Sequence, residues 1–382
     1  MRLNPLRILF IHHGKGLGGA PLSLLYLVRS LDRQKFEPLV LFLHESEVIE
    51  IFKKNGIQTL GPLHLMDFPH TKIWWLRWYH VGTLIRAIID TFKTIFVEAP
   101  RMYAAHHPDI VHLNTSSLIG WALAAYRSNI PVIWHIREPL ANGYLGIRKK
   151  LITLCVSRYA TKILPICKDN ALPWKASTKT LVIYNAVDKK LFDPAQTTSD
   201  FFLQRYQLDA HTPKILYLGG ISYEKGTHII LGIFKELLTH LPQAQLIIAG
   251  TWQPTRLPNT PWAKRFFPAA QFRHHVHTLR QSCGSSVITI GPCYEIPAAM
   301  AACSVVVFPA TVGHFARPII EAGFMKKPVI ASNLAPLDEL IIHQKTGFLI
   351  APWDNAAWIE ALITILTDKK RSAGEVAAHA QG

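Results

Sequence analysis

The sequence predicts an α/β protein built from two doubly wound domains, and three observations carry that prediction. At 382 residues the chain is about two to three times the length of a typical domain. Short continuous apolar runs alternate with amphipathic stretches, the pattern of buried parallel strands each followed by a helix. That alternation loosens once, over residues 187–207, into Asp, Lys, Pro, Thr and Ser, and then restarts. The division expected is therefore residues 1–190 and 191–382.

In the first half the expected strands are Arg7-Ile8-Leu9-Phe10-Ile11, Leu39-Val40-Leu41-Phe42-Leu43, Asp109-Ile110-Val111-His112-Leu113, Pro131-Val132-Ile133-Trp134-His135 and Lys162-Ile163-Leu164-Pro165-Ile166. A glycine-rich turn and a helix from Leu22 to Leu31 follow the first of them. In the second half they are Lys214 to Gly219, Gln245 to Ala249, Val287 to Ile290, Ser304 to Phe308 and Pro328 to Ala331. Two such sheets joined near residue 190 imply a cleft, and ligands of open α/β sheets bind outside the carboxyl ends of the strands.

One stretch breaks the alternation. Trp74, Trp78, Val81, Ile85, Ile88, Phe92 and Ile95 recur in steps of three and four, while Lys72, Tyr79, Thr83, Arg86, Asp90 and Lys93 take the other side. This predicts an amphipathic helix over residues 72–96. Its Trp74, Trp75, Trp78 and Tyr79 beside Arg77 and His80 suit an anionic lipid interface, and packing against its own sheet is the alternative.

Composition narrows the function classes. Hydrophobic residues are 49% and charged residues 17% of the chain, a globular composition far from disorder. Basic residues exceed acidic ones by 41 − 25 = 16, an excess that attracts phosphate-bearing ligands or anionic lipid. Nucleic acid is not expected, because neither zinc-finger spacing nor a basic block with heptads nor an RNA-binding aromatic signature is present. The five cysteines, Cys155, Cys167, Cys283, Cys293 and Cys303, are scattered and fit a reducing compartment. With a start too short for a signal peptide and no run of about 18 apolar residues, the expected location is the cytoplasm, with peripheral contact to a membrane.

The strongest local signal is Phe315-Ala316-Arg317-Pro318-Ile319-Ile320-Glu321-Ala322, shortly after the strand ending at Phe308. A loop feeding a helix at a strand's carboxyl end offers free backbone N–H groups and a positive terminus, which together hold phosphate. Glu321, in the first turns of that helix, is placed to accept from two neighbouring hydroxyls.

Here the sequence closely resembles the group-1 glycosyltransferases, retaining enzymes of GT-B architecture that use nucleotide sugars. GT-B proteins have two Rossmann-like domains facing across a cleft. The family motif sets two glutamates eight residues apart around a Phe-Gly-x-Pro core. In this chain the core is Phe315-Ala316-Arg317-Pro318 and the second glutamate, Glu321, implies a grip on the nucleotide ribose. Gly313 stands where the first, sugar-binding glutamate would be.

A second agreement is Leu218-Gly219-Gly220-Ile221-Ser222-Tyr223-Glu224-Lys225-Gly226. The resemblance directs Lys225 at the donor diphosphate, with Gly219 and Gly220 lining that loop. Gly220 replaces a family arginine, for which Arg317 is the candidate substitute. A third is the turn His13-Gly14-Lys15-Gly16-Leu17-Gly18-Gly19-Ala20, where Gly18 and Gly19 match the family's first loop beside donor and acceptor. His135 matches a family histidine near the donor sugar and, with Lys225, is the candidate catalytic group; Arg137 and Glu138 are candidates for orienting the acceptor. Asn114-Thr115-Ser116, Asn185, and Glu339 with Lys345-Thr346-Gly347-Phe348-Leu349 share the likeness.

No Asp-x-Asp triplet occurs, so neither a metal ion nor another cofactor is expected beyond the nucleoside-diphosphate sugar as co-substrate. The function implied is retaining transfer of a sugar to a lipid-linked or growing glycan in surface polysaccharide synthesis, the leaving phosphate helping to deprotonate the acceptor. Two rivals stay open. One is a nucleotide-sugar-binding partner subunit without catalysis, suggested by Gly313 and Gly220; the other is a GT-B sugar epimerase.

Overall fold

The structure is a computed structural model that describes residues 4–14, 16, 18–66, 81–140, 142, 146–250 and 268–367. It divides into two units, Met1–Ala186 and Val187–Gly382.

The first unit is one parallel six-stranded sheet: β1 Leu6–His12, β2 Phe36–Phe42, β3 Gln58–Leu60, β4 Ile110–Leu113, β5 Val132–Ile136 and β6 Lys162–Pro165, in the order β3-β2-β1-β4-β5-β6. Its helices are α1 Gly19–Ser30, α2 Val48–Lys54, α3 Val81–Lys93, α4 Ala99–His106, α5 Ile119–Arg127, α6 Ile147–Tyr159 and α7 Lys168–Ala171, with a π-helical turn Thr94–Glu98 joining α3 to α4. Strand residues alternate between two cores. Leu9, Ile11, Leu39 and Leu41 face one helical layer, and Ile8, Phe10, Val40 and Phe42 face the other, as period-two geometry requires.

The second unit repeats the plan. Its strands are β7 Lys214–Tyr217, β8 Gln245–Ala249, β9 Val287–Gly291, β10 Val305–Phe308, β11 Val329–Ser332 and β12 Phe348–Ile350, ordered β12-β11-β10-β7-β8-β9 and all parallel. The helices are α8 Asp200–Arg205, α9 Thr227–His240, α10 Pro268–Ser282, α11 Ile296–Ala302, α12 Arg317–Phe324 and α13 Asn355–Thr367. Both sheets have the doubly wound strand order, so the α/β class expected from the apolar runs holds.

Residues 72–80 of the expected amphipathic helix, with Trp74, Trp75 and Trp78, lie outside the described residues. From Val81 onward the helix forms, but its inner side is not the apolar one. Ala87 and Thr94 are buried and Asp90 accepts from the Met66 N–H at 3.0 Å, whereas Ile85, Ile88, Ile89 and Phe92 are exposed. Of the apolar stripe read from the sequence, Ile95 turns inward, carried round by the π-helical turn.

Candidate functional site

In each sheet the direction of winding reverses between two central strands, β1 and β4 in the first unit and β7 and β10 in the second, which is where ligands of doubly wound folds sit. In the second unit the loops after β7 and β10 are tied together there. The Thr311 N–H donates to the Glu224 carbonyl at 2.9 Å and the Thr311 hydroxyl to the Tyr223 carbonyl at 2.8 Å. Thr227, the buried first residue of α9, fixes the β7 loop from within. Its hydroxyl accepts from the Ser222 N–H at 2.8 Å and donates to the Gly220 carbonyl at 2.7 Å, while the Tyr217 hydroxyl donates to the Lys225 carbonyl at 3.1 Å.

This scaffold holds Lys225 half-buried. Burial lowers its pKa and the neighbouring Glu224 partly offsets that. Among the described residues no carboxylate forms an ion pair with its ammonium, so its positive charge is not neutralised within that part of the fold. His314 donates from Nδ1 to the Val312 carbonyl at 2.9 Å. Burial, aided by the charge on Lys225, keeps its pKa low, so the ring is neutral with Nε2 as an acceptor.

Phe315 and Ala316 lead into α12, whose cap residue Ala316 supplies no side-chain hydrogen bond and whose first turn has no acid. Its dipole favours an anion at that end, although Pro318 carries no N–H and the Ile319 N–H donates to the Ala316 carbonyl at 3.1 Å. One turn in, Arg317 Nε donates to Glu321 Oε1 at 2.6 Å, both side chains being buried. Burial raises the Glu321 pKa and Arg317 opposes the rise. With Oε1 engaged, Oε2 is the oxygen available to ligand hydroxyls.

The two departures from the expected motif have backbone causes. Gly220 has φ +59°, a left-handed conformation that costs a side-chain-bearing residue about 1–2 kcal/mol. At Gly313 a Cβ would stand 1.8 Å from the Ala335 carbonyl oxygen, so a glutamate is excluded by the main chain itself. Gly313→Glu is thus expected not to raise turnover, and to destabilise the second unit by about 1–3 kcal/mol as overpacking does. Thermal unfolding and a donor assay on that variant check both statements.

The first unit gathers a separate polar cluster at the carboxyl ends of β1, β4 and β5. Arg137 donates from Nε to Asn114 Oδ1 at 2.6 Å and from Nη1 to Asn185 Oδ1 at 2.7 Å, and its Nη2 lies 3.4 Å from His135 Nδ1. Because guanidinium only donates, His135 Nδ1 accepts and the proton of the neutral ring sits on Nε2. Asn114 Nδ2 likewise lies 3.0 Å from His12 Nδ1 and donates to it, placing the His12 proton on Nε2. Both Nε2 atoms are buried without a protein partner. In these tautomers both Nε2 atoms are donors rather than bases. Glu138 Oε1 accepts from the Ser116 N–H at 2.8 Å, the Ser116 hydroxyl at 2.7 Å and the Thr115 hydroxyl, which shapes the loop after β4. Gly18 caps α1 and Gly19 begins it; both are exposed and leave that helix terminus open.

Burial lowers the pKa of His12, of His135 and of His112, the last to about 3. An unfolded chain takes up these protons near pH 6.5, whereas the folded one refuses them until far lower pH. Stability from this source is therefore full above about pH 6.5 and is lost as pH falls, at up to about 1.4 kcal/mol per pH unit for each imidazole. Unfolding followed by the fluorescence of buried Trp121 and Trp134 should show a midpoint falling steeply between about pH 6.5 and 4.5. A flat midpoint contradicts the assignment.

Of the residues expected from the sequence, the second unit places Lys225, Gly219, Gly220, Phe315, Ala316, Arg317 and Glu321 at one end of its sheet, and the first unit places His135, Gly18 and Gly19 at one end of its own. The sequence reading missed His12 and His112, although His12 ends the first strand; it also missed Thr227, whose signal was a threonine directly after the Lys225-Gly226 pair.

Residues 199–378 match the family described as "Glycosyl transferases group 1". A glycogen synthase of Mycobacterium tuberculosis is 28% identical over 157 residues, 41% of this chain and 34% of that protein. An alpha-D-kanosaminyltransferase of Streptomyces kanamyceticus is 26% identical over 166 residues, 43% and 39% of the two chains. These alignments thus span little more than a third of the curated relatives. Among solved structures, Anabaena HepE in complex with UDP-glucose superposes with a TM-score of 0.75 at 21% identity, covering 98% of this chain and 93% of that one. The likeness shows the fold, two parallel α/β units of the GT-B class.

Proposed function

We propose that this chain, a member of the group 1 glycosyl transferase family through its residues 199–378, transfers a sugar from a nucleoside-diphosphate sugar to a glycan or lipid-linked acceptor. The observation that carries the reading is the joining of the β7 and β10 loops. It brings the loop that carries Lys225 to the loop that leads into α12, whose amino terminus and buried Glu321 suit a diphosphate and a ribose. Lys225 and the dipole of α12 hold the diphosphate, and Glu321 Oε2 accepts from the ribose hydroxyls.

As the glycosidic bond breaks, negative charge grows on the leaving diphosphate. A fixed cation stabilises it more in the transition state than before. In the first unit the Arg137–Asn114–Asn185 network holds the His12 and His135 rings, whose Nε2 atoms we assign as donors to hydroxyl oxygens of a ligand of that unit. We assign retention of configuration, with the leaving phosphate taking the acceptor proton, and no metal ion in the reaction. A role in surface polysaccharide synthesis is the setting we favour, since the basic excess of the chain suits a phosphate-bearing lipid-linked acceptor.

The test is release of nucleoside diphosphate from a panel of UDP-, GDP- and ADP-sugars with a membrane extract as acceptor. Turnover with one donor and incorporation of its sugar are expected. Tight nucleotide binding without turnover by any donor would give the chain to the binding-subunit reading, and an isomerised donor formed without acceptor would give it to the epimerase.

A further inference from the structure

We infer that the outer surface of α3, α5 and α6 in the first unit is a docking surface for an anionic lipid bilayer. This inference stands apart from the transfer reading, because it concerns a different face and is measured without donor.

The orientation of α3 carries the argument. A helix of a water-soluble protein ordinarily turns its apolar stripe to the core. Here Ile85, Ile88, Ile89, Phe92 and Phe96, spaced at three and four residues, are 42–58% exposed. The inner side instead uses Ala87, Asp90, Thr91 and Thr94. Thr91 and Thr94 return their hydroxyls to the Ala87 and Asp90 carbonyls at 2.7 Å, and Gly120 of α5 packs closely against them. The small polar residues are spent on helix–helix packing and the large apolar ones face outward. Among the described residues the apolar stripe therefore has no partner in its own unit.

The surface continues across neighbouring helices. Arg127, at the end of α5, lies 5.1 Å over the Phe96 ring, and Arg158 of α6 lies 5.0 Å over Tyr126 of α5. On α6, Ile147, Leu151 and Leu154 repeat the outward stripe at 63%, 40% and 66% exposure. So much exposed apolar surface marks an interaction site.

Charge decides the occupant. The two carboxylates of the α3–α4 segment, Asp90 and Glu98, are each paired with a local cation, Arg86 at 3.7 Å and Lys93 at 3.3 Å. No acidic residue lies on α5 or α6, whereas Arg127, Lys149, Lys150 and Arg158 do. An apolar stripe bordered by arginine, lysine and tyrosine complements the headgroup zone of anionic lipid, into which the rings and aliphatic chains sink while the cations meet phosphates. A second copy of the chain would bring the same cations against themselves.

Vesicle sedimentation tests this with the full chain, using phosphatidylglycerol–phosphatidylcholine vesicles and pure phosphatidylcholine vesicles. The wild type should pellet with the first and much less with the second, and raised salt should weaken it. Phe92→Ser with Phe96→Ser, and separately Leu151→Ser with Leu154→Ser, should lower the partition at least about tenfold without lowering the unfolding midpoint, since these side chains are exposed. Lys150→Gln with Arg158→Gln should lower it about fivefold for each cation removed. A chain that stays in solution with both vesicles, or that pellets equally well after either serine pair, overturns the inference. A dimer seen by analytical ultracentrifugation and dissolved by the serine pairs assigns the face to a second copy and overturns it too.

Discussion

Lys225→Ala should reduce release of nucleoside diphosphate by about a hundredfold to a thousandfold, the scale on which one preorganised electrostatic partner of a transition state acts. The prediction rests on how the lysine is held. Its carbonyl accepts from Tyr217, its N–H donates to Ser222 Oγ at 3.2 Å, and the loop that carries it is tied to the β10 loop through Thr311. The backbone that carries the ammonium is thus fixed before a ligand arrives. Burial lowers its pKa, which means that the unliganded fold bears the unfavourable desolvation of a charge and that an arriving diphosphate relieves it. Two consequences distinguish this from a solvated loop lysine. The alanine variant should unfold at no lower temperature than the wild type, because no internal ion pair is broken, yet nucleoside diphosphate should raise its midpoint far less. The loss should fall mainly on kcat, because the charge on the leaving group is greatest in the transition state. A change of less than about twofold in turnover, within the range of an exposed charge, would return Lys225 to the solvent.

The parts of the molecule legible in the sequence are those set by continuous burial. Runs such as Leu39 to Phe42 and Val305 to Phe308 are apolar on both faces of a parallel strand, and they appear as strands with ends within three residues of where they were expected. The edge strands Gln58–Leu60 and Phe348–Ile350 were not legible. Three residues at a sheet margin carry too little periodicity to be seen. The glycine-rich motifs located the loops at the strand ends correctly, but not the reason for Gly313, which is the approach of the Ala335 carbonyl from a segment some twenty residues on. Contacts of that kind leave no local mark. The same holds for the histidine cluster. His12, His112 and His135 are far apart in sequence, and only the adjacency of β1, β4 and β5 brings them together. The amphipathic pattern from Ile85 to Phe96 gave the helix but not its facing, since a period states that two sides differ and not which of them is inside.

Arg317→Met should destabilise the second unit by about 3–5 kcal/mol, the cost of leaving one member of a buried ion pair without its partner. Both side chains are almost fully buried, and Arg317 Nε lies 2.6 Å from Glu321 Oε1. The pair does not serve the helix that carries it. An arginine in the first turn opposes the macrodipole, and arginine before glutamate is the less favourable order at this spacing. Its service is to Glu321, whose carboxyl is pushed by burial toward protonation and held back by the guanidinium. Without Arg317 the carboxyl is pushed further toward protonation, and a protonated Glu321 offers the ribose a poorer acceptor. The instability of Arg317→Met should accordingly lessen at lower pH, where protonation of Glu321 removes the unpaired charge, for as long as the buried histidines of the first unit permit folding. Joining it with Glu321→Gln should restore most of the stability in a double-mutant cycle read by thermal unfolding. Nucleotide binding separates the remaining alternatives. Glu321→Gln alone should weaken nucleoside diphosphate binding by about 1.5–3 kcal/mol, the worth of hydrogen bonds to a charged acceptor. If Arg317 acts only by positioning Glu321, the double variant should bind and turn over like Glu321→Gln. If the guanidinium instead takes the place of the cation absent at Gly220, the double variant should lose a further large factor in kcat, and the arginine would then count among the groups that touch the diphosphate.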